Sequence, residues 1–123
     1  MINYGKHTLG KSDYYSVAKS LRGEHLTTGL TIKKFETELI KKFGGKYCTV
    51  VNNGTSALFV VGKALGWKKG DRILTTPLSF LATANCIVNN NAIPDFVDIE
   101  TKTFTIDPNR IEDKVKKKEL KLL

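Results

Sequence analysis

The chain has 123 residues, 41% of them hydrophobic and 26% charged, a balance that suits a folded domain and excludes an intrinsically disordered segment. No apolar run is long enough to cross a bilayer, and residues 1–10 lack the apolar stretch of a signal peptide, so the expected location is the cytoplasm. Of the net charge of +8, much sits at Lys114, Lys116, Lys117, Lys118 and Lys121 with no aromatic residues between them, which reads as a solvated helix end and speaks against a nucleic-acid surface.

In chain order, residues 12–21 place Tyr15, Val17, Ala18 and Leu21 behind a capping Ser12 or Asp13, which predicts a short helix broken by Gly23. Leu26, Thr27, Thr28 and Gly29 read as a loop. Ile32, Phe35, Leu39, Ile40 and Phe43 then fall on one helical stripe that Gly44 and Gly45 end. The β-rich run Tyr47-Cys48-Thr49-Val50-Val51 predicts a buried strand. Asn52-Asn53-Gly54 turns the chain into a helix with Leu58, Val61, Ala64 and Leu65 inward, ending at Gly66. Gly70-Asp71 precedes a second strand at 72–76, which Pro77 stops. A further helix is predicted over 80–88, closed by Asn89-Asn90-Asn91. A third strand follows at 93–97, with Pro94 suited to an edge or a first position. Asp107 caps a last helix, with Pro108 at its first position and Ile111 and Val115 inward. Strands separated by helices imply an α/β protein with a parallel sheet.

Cys48 and Cys86 stand far apart in apolar stretches, without metal-ligand spacing, and His7 and His25 have no partner motif. Two reduced, buried thiols and no metal site are expected.

Two segments suit a ligand. Residues 50–58 run from a strand through Asn52, Asn53 and Gly54 into Thr55 and Ser56 at a helix start. A helix start aims backbone N–H groups and the positive end of its dipole at one point, which favours a phosphate, and the hydroxyls add donors. An ordinary capped helix after a strand fits the same pattern. Residues 75–85 again follow a strand end, where ligands of open α/β sheets bind. Phe80 there is placed either to cover a flat heteroaromatic ring or to join the core.

The ordered set of Ile2-Asn3-Tyr4-Gly5-Lys6, Leu26-Thr27-Thr28-Gly29, Phe35-Glu36, Gly54-Thr55-Ser56-Ala57-Leu58, Gly70-Asp71, Thr75-Thr76-Pro77, Ser79-Phe80, Ala82-Thr83-Ala84-Asn85, Phe96-Val97-Asp98-Ile99 and Ile106-Asp107-Pro108 resembles the DegT/DnrJ/StrS family of sugar-nucleotide aminotransferases. The 26–29 and 75–85 wording is similar to the branch that makes UDP-4-amino-4,6-dideoxy-N-acetyl-β-L-altrosamine. The resemblance implies the N-terminal part of a fold-type I large domain, three-layered with a mostly parallel sheet. Residues 1–30 would be an arm and substrate-side loop, 31–118 the first part of the cofactor-binding domain, and 119–123 a truncated tail.

It also implies roles. Gly54, Thr55 and Ser56 would hold the phosphate of pyridoxal 5'-phosphate, and Phe80 would stack on its ring. Thr28 and Gly29, with Tyr4 and Lys6, would lie near the sugar nucleotide, and Asp98 would be structural. Glutamate would give its amino group to the cofactor, which passes it to a UDP-linked 4-keto sugar. Family members are homodimers with active sites across the interface.

The family's Schiff-base lysine and the carboxylate that meets the pyridine nitrogen lie in later segments. Neither Asp95 nor Asp98 replaces that carboxylate, so this chain carries no catalytic residue. A front fragment, inactive by itself and marginally stable because its first strand lacks partners, is the expectation. The alternatives are an assembly module completed in trans by a second chain, and a basic nucleic-acid binder.

Overall fold

The computed structural model describes residues 5–117, so Tyr4 and the expected tail at 119–123 lie outside the described residues. The chain divides into two compact units, Met1–Val50 and Val51–Leu123; the expected boundary at residue 30 coincides with the start of a helix inside the first.

The first unit contains α1 (Lys11–Leu21) and α2 (Leu30–Phe43). Asp13 reaches back to accept the Gly10 N–H at 2.7 Å, satisfying a donor that the helix start leaves open. Gly44 ends α2 at φ 72°, with its N–H on the Ile40 carbonyl at 2.9 Å, a left-handed cap that glycine adopts without steric cost. Neither helix has a buried residue. The strand expected over 47–51 does not form. Its composition favours extended backbone, but a strand exists as one side of a ladder, and among the described residues no segment pairs with it. Glu36 instead accepts the Val50 N–H at 3.0 Å. Cys48 is half-buried and Cys86 buried, so only one of the two thiols meets the expectation of burial.

The second unit runs α3 (Gly54–Ala64), β1 (Arg72–Thr75), α4 (Ala82–Asn89), β2 (Ile93–Phe96) and α5 (Pro108–Lys117). The strands pair in parallel, Arg72 opposite Ile93 through Thr75 opposite Phe96, with α4 as the crossover that parallel pairing requires. α4 starts two residues later than expected. The Thr83 N–H bonds to the Phe80 carbonyl at 3.0 Å, and those of Ala84 and Asn85 bond to Leu81, so the chain is still bending at Phe80.

The core is small and lies around α4: Ile73, Ala82, Cys86, Ile87, Ala92 and Val97. Trp67 packs against it from the turn after α3. Asn90, 1% exposed, donates through Nδ2 to the carbonyls of Phe59 and Cys86 at 3.2 and 2.8 Å, which ties α3 to α4. Gly62 lies so close that a Cβ there would fall 2.4 Å from Asn90 Nδ2 and 2.6 Å from the Trp67 ring. On the other face, buried Asp95 accepts from Arg72 Nη2 at 2.9 Å and from Lys114 of α5. Successive residues of a strand point to opposite faces. Ile73 therefore shares the α4 face, whereas Leu74 and Asp95, opposite each other in register, share the α5 face. The unit is α/β, with helices on both faces of a two-stranded parallel sheet. Among the described residues no helix is long and apolar enough to cross a membrane.

Candidate cofactor-binding site

The start of α3 is built by one residue outside it. Asn53, in extended backbone at φ −164°, accepts the Ser56 N–H on Oδ1 at 2.8 Å, and its carbonyl accepts the Ala57 N–H at 3.2 Å. The first N–H groups of a helix have no intrahelical partner. With Ser56 capped, those of Gly54 and Thr55 are left pointing out of the helix end. Thr55 is exposed and Ser56 half-buried, and each carries a hydroxyl on the first turn of α3. A Cβ at Gly54 would meet nothing within 4 Å; the approach to the two N–H groups is open. Two backbone donors, two hydroxyls and a helix dipole fit a phosphate group.

The loop after β1 supplies the second part. Ser79 Oγ and Thr83 Oγ1 are hydrogen-bonded at 2.9 Å, and Thr76 Oγ1 accepts the Leu78 N–H at 3.4 Å. These contacts hold the loop in a bend from which Phe80 projects, 76% exposed; of the two placements open to it in the sequence, the core is ruled out. Leu58, one turn into α3, and Thr75, the last residue of β1, line one cleft. The first half of α3 and the carboxyl end of the strand therefore lie on the same side of the unit, the side where open α/β sheets hold ligands.

The other expected site residues belong to the first unit. Lys6 is exposed. Gly29 caps the start of α2, its carbonyl accepting the Ile32 N–H at 3.1 Å. Thr28 stands at φ 53°, a left-handed conformation that is strained for a β-branched residue, with Oγ1 donating to the Thr27 carbonyl at 2.8 Å. That strain is invisible in the residue pattern, which marks 26–29 only as a loop. Asn53 was also missed as a contributor. Asparagine just before a helical stripe is the signal that would have found it. Among the described residues no group of His, Cys, Asp and Glu could hold a metal ion.

Residues 7–122 match the DegT/DnrJ/EryC1/StrS aminotransferase family. The chain is 38% identical over 117 residues to the UDP-4-amino-4,6-dideoxy-N-acetyl-β-L-altrosamine transaminase of Campylobacter jejuni, covering 95% of this chain and 31% of that protein. Its fold superposes on Helicobacter pylori PseC, an aminotransferase involved in the biosynthesis of pseudoaminic acid, with a TM-score of 0.84 and 33% identity, over 90% of this chain and 30% of PseC. It also superposes on the E. coli GDP-4-keto-6-deoxy-D-mannose-3-dehydratase with bound hydrated pyridoxal phosphate, with a TM-score of 0.83 and 30% identity, over 92% of this chain and 31% of the dehydratase. The chain thus spans under a third of the length of the proteins it matches. It belongs to the DegT/DnrJ/EryC1/StrS aminotransferase family.

Proposed function

We propose that this chain is the front part of the cofactor domain of a sugar-nucleotide aminotransferase that works in the cytoplasm as a homodimer. The reaction is transfer of an amino group from glutamate to a UDP-linked 4-keto-6-deoxy sugar, and the chain by itself turns nothing over. The observation that carries the reading is the start of α3, where Asn53 caps the Ser56 N–H and the N–H groups of Gly54 and Thr55 are left without intrahelical partners beside two hydroxyl residues. Pyridoxal phosphate, when bound, supplies the electron sink for amino transfer. Gly54, Thr55 and Ser56 bind and orient its phosphate, and Phe80 covers the ring. Thr28 and Gly29, with Tyr4 and Lys6, contact the sugar nucleotide. No described residue is assigned a proton-transfer role. The chain is similar to a transaminase and to a dehydratase alike, so the fold of this segment does not by itself choose between these reactions. This is the expected pattern when function resides in a site grafted onto a shared fold.

Borohydride trapping with peptide mapping tests the claim of no turnover. Mixing the chain with pyridoxal phosphate and reducing should leave scattered label on surface lysines, suppressed by competing phosphate. One lysine labelled stoichiometrically despite that competition would overturn it. The phosphate assignment is tested separately by Thr55→Val with Ser56→Ala. This pair should abolish the protection that inorganic phosphate gives the 54–56 amides in hydrogen exchange; unchanged protection would remove these residues from the site.

A further inference from the structure

Asn53 is the only asparagine in the chain followed by glycine. An asparagine side-chain amide is open to attack by the main-chain nitrogen of the next residue, and the start of α3 favours that step in four ways. Asn53 and Gly54 are exposed, so water reaches the amide and ammonia can leave it. Gly54 has no Cβ to shield its nitrogen, and the space around it is open, since an added Cβ would meet nothing within 4 Å. The Gly54 N–H is among those that a helix start leaves without an intrahelical partner, and the positive end of the helix dipole beside it favours loss of its proton. Finally, the Ser56 N–H donates to Asn53 Oδ1 at 2.8 Å. That bond draws electron density from Cγ and meets the negative charge that grows on Oδ1 as the nitrogen attacks, the service an oxyanion hole performs.

Asn90 shows the opposite arrangement. It is 1% exposed, and its Nδ2, the group that would leave, is held by the Phe59 and Cys86 carbonyls. The nitrogen after it is already engaged, the Asn91 N–H bonding to the Val88 carbonyl at 2.8 Å.

We propose that Asn53 is a self-modifying residue whose reaction closes the candidate phosphate site with time. The Gly54 nitrogen gives its proton to water and bonds to Asn53 Cγ. The Cγ–Nδ2 bond breaks, and Nδ2 takes up a proton and leaves as ammonia. A cyclic imide remains. Water then adds to either imide carbonyl, giving aspartate or an isoaspartate whose main chain runs through Cβ. The sum is one amide and one water converted to one carboxylate and one ammonium, with no oxidation or reduction. The imide holds its two oxygens on opposite sides of the Gly54 nitrogen, so the Asn53 carbonyl must release the Ala57 N–H, at 3.2 Å, while Oδ1 keeps that of Ser56. Helix ends fray, and nothing in the core has to move. Aspartate caps a helix as well as asparagine does, so the fold survives the change. Its carboxylate stands beside the N–H groups of Gly54 and Thr55, where it takes the positive end of α3 for itself and repels a second anion. The reaction of Asn53 rests on geometry; its consequence for phosphate rests on the function proposed above.

Incubating the full 123-residue chain in heavy-oxygen water near neutral pH, followed by peptide mass spectrometry, tests this. Heavy oxygen should enter at Asn53 at least about tenfold faster than at any other asparagine, while the Ile87 amide stays protected from hydrogen exchange. Isoaspartyl methyltransferase should label the same peptide, and Gly54→Ala should slow the reaction at least about tenfold. An unmodified Asn53, modification that appears only as Ile87 loses protection, or an equal rate in Gly54→Ala would each overturn the proposal. Asn53→Asp, with its helices intact by circular dichroism, should need several-fold more inorganic phosphate than the wild type to protect the 54–56 amides; equal protection would overturn the closing of the site. Phosphate that protects neither chain, with Asn53 still modified, would discard the phosphate reading and its consequence and keep the modified residue. Phosphate protection with Asn53 intact would keep the phosphate reading and discard the modification.

Discussion

The two units use similar helices to different ends. In the first, α2 carries the stripe Ile32, Phe35, Leu39, Ile40 and Phe43, yet no residue of α1 or α2 is buried, and Phe35 is 53% exposed. In the second, α4 has only eight residues but buries Ala82, Cys86 and Ile87, because β1, β2 and α3 close around it. An amphipathic pattern forms a helix in both places; only a second apolar surface turns that pattern into a core. Most helical stability comes from such packing and little from propensity, so the second unit should carry nearly all of the chain's resistance to unfolding.

Truncating one apolar residue in each unit breaks the comparison most directly. Ile87→Ala, at a position 2% exposed, should cost about 3–4 kcal/mol, whereas Phe35→Ala should cost less than about 1 kcal/mol because little area is returned to water. Urea unfolding followed by far-ultraviolet circular dichroism, to which the helices of both units contribute, measures both, and equal costs would show that the first unit has a core after all. Gly62→Ala should cost about 3 kcal/mol, since its Cβ overlaps Trp67 and displaces the Asn90 side chain from the Phe59 and Cys86 carbonyls. Gly29→Ala, with its nearest neighbour at 3.4 Å, should be close to neutral in the same assay.

A smaller effect is expected at the candidate site. Asn53→Ala removes the bond to the Ser56 N–H and should cost about 1 kcal/mol. It adds an outward donor without disturbing the core, so exchange should quicken only over the first turn of α3. The smallest effect separates the thiols. Desolvation by burial raises the pKa of Cys86 above its ordinary value. The unfolded chain therefore ionises first as pH rises, and Cys86 stabilises the fold less and less from its ordinary pKa up through the raised one. In a thiol-reagent assay half-buried Cys48 should react before Cys86, whose rate should follow global unfolding; simultaneous reaction would refute the core placement.

Much of the local structure was legible. Gly44 at the end of α2, Asn53-Gly54 at the start of α3, and Asp107-Pro108 before α5 are punctuation whose physics is local. The candidate phosphate donors at 54–56 were legible for the same reason, since a helix start makes its own site. The run at 47–51 was misread because composition reports a preference for extended backbone and says nothing about a partner. Phe80 could not be placed by pattern either, because an aromatic residue at the edge of a helical stripe suits the core and the surface equally. The Asp95 cluster was hidden as well: Arg72 and Lys114 lie 23 and 19 residues from it along the chain, far beyond any periodicity.

The sequence by itself determined the helices, the order of the two strands that formed, the donor-rich helix start and, through its ordered motifs, the family, because each depends on neighbours within a turn or two of chain. Only the tertiary structure decided which apolar residues become core, that Arg72 and Lys114 meet at Asp95, and that Thr28 is held at positive φ. Those features depend on which groups meet across long stretches of chain, and pairing, unlike propensity, belongs to two segments at once.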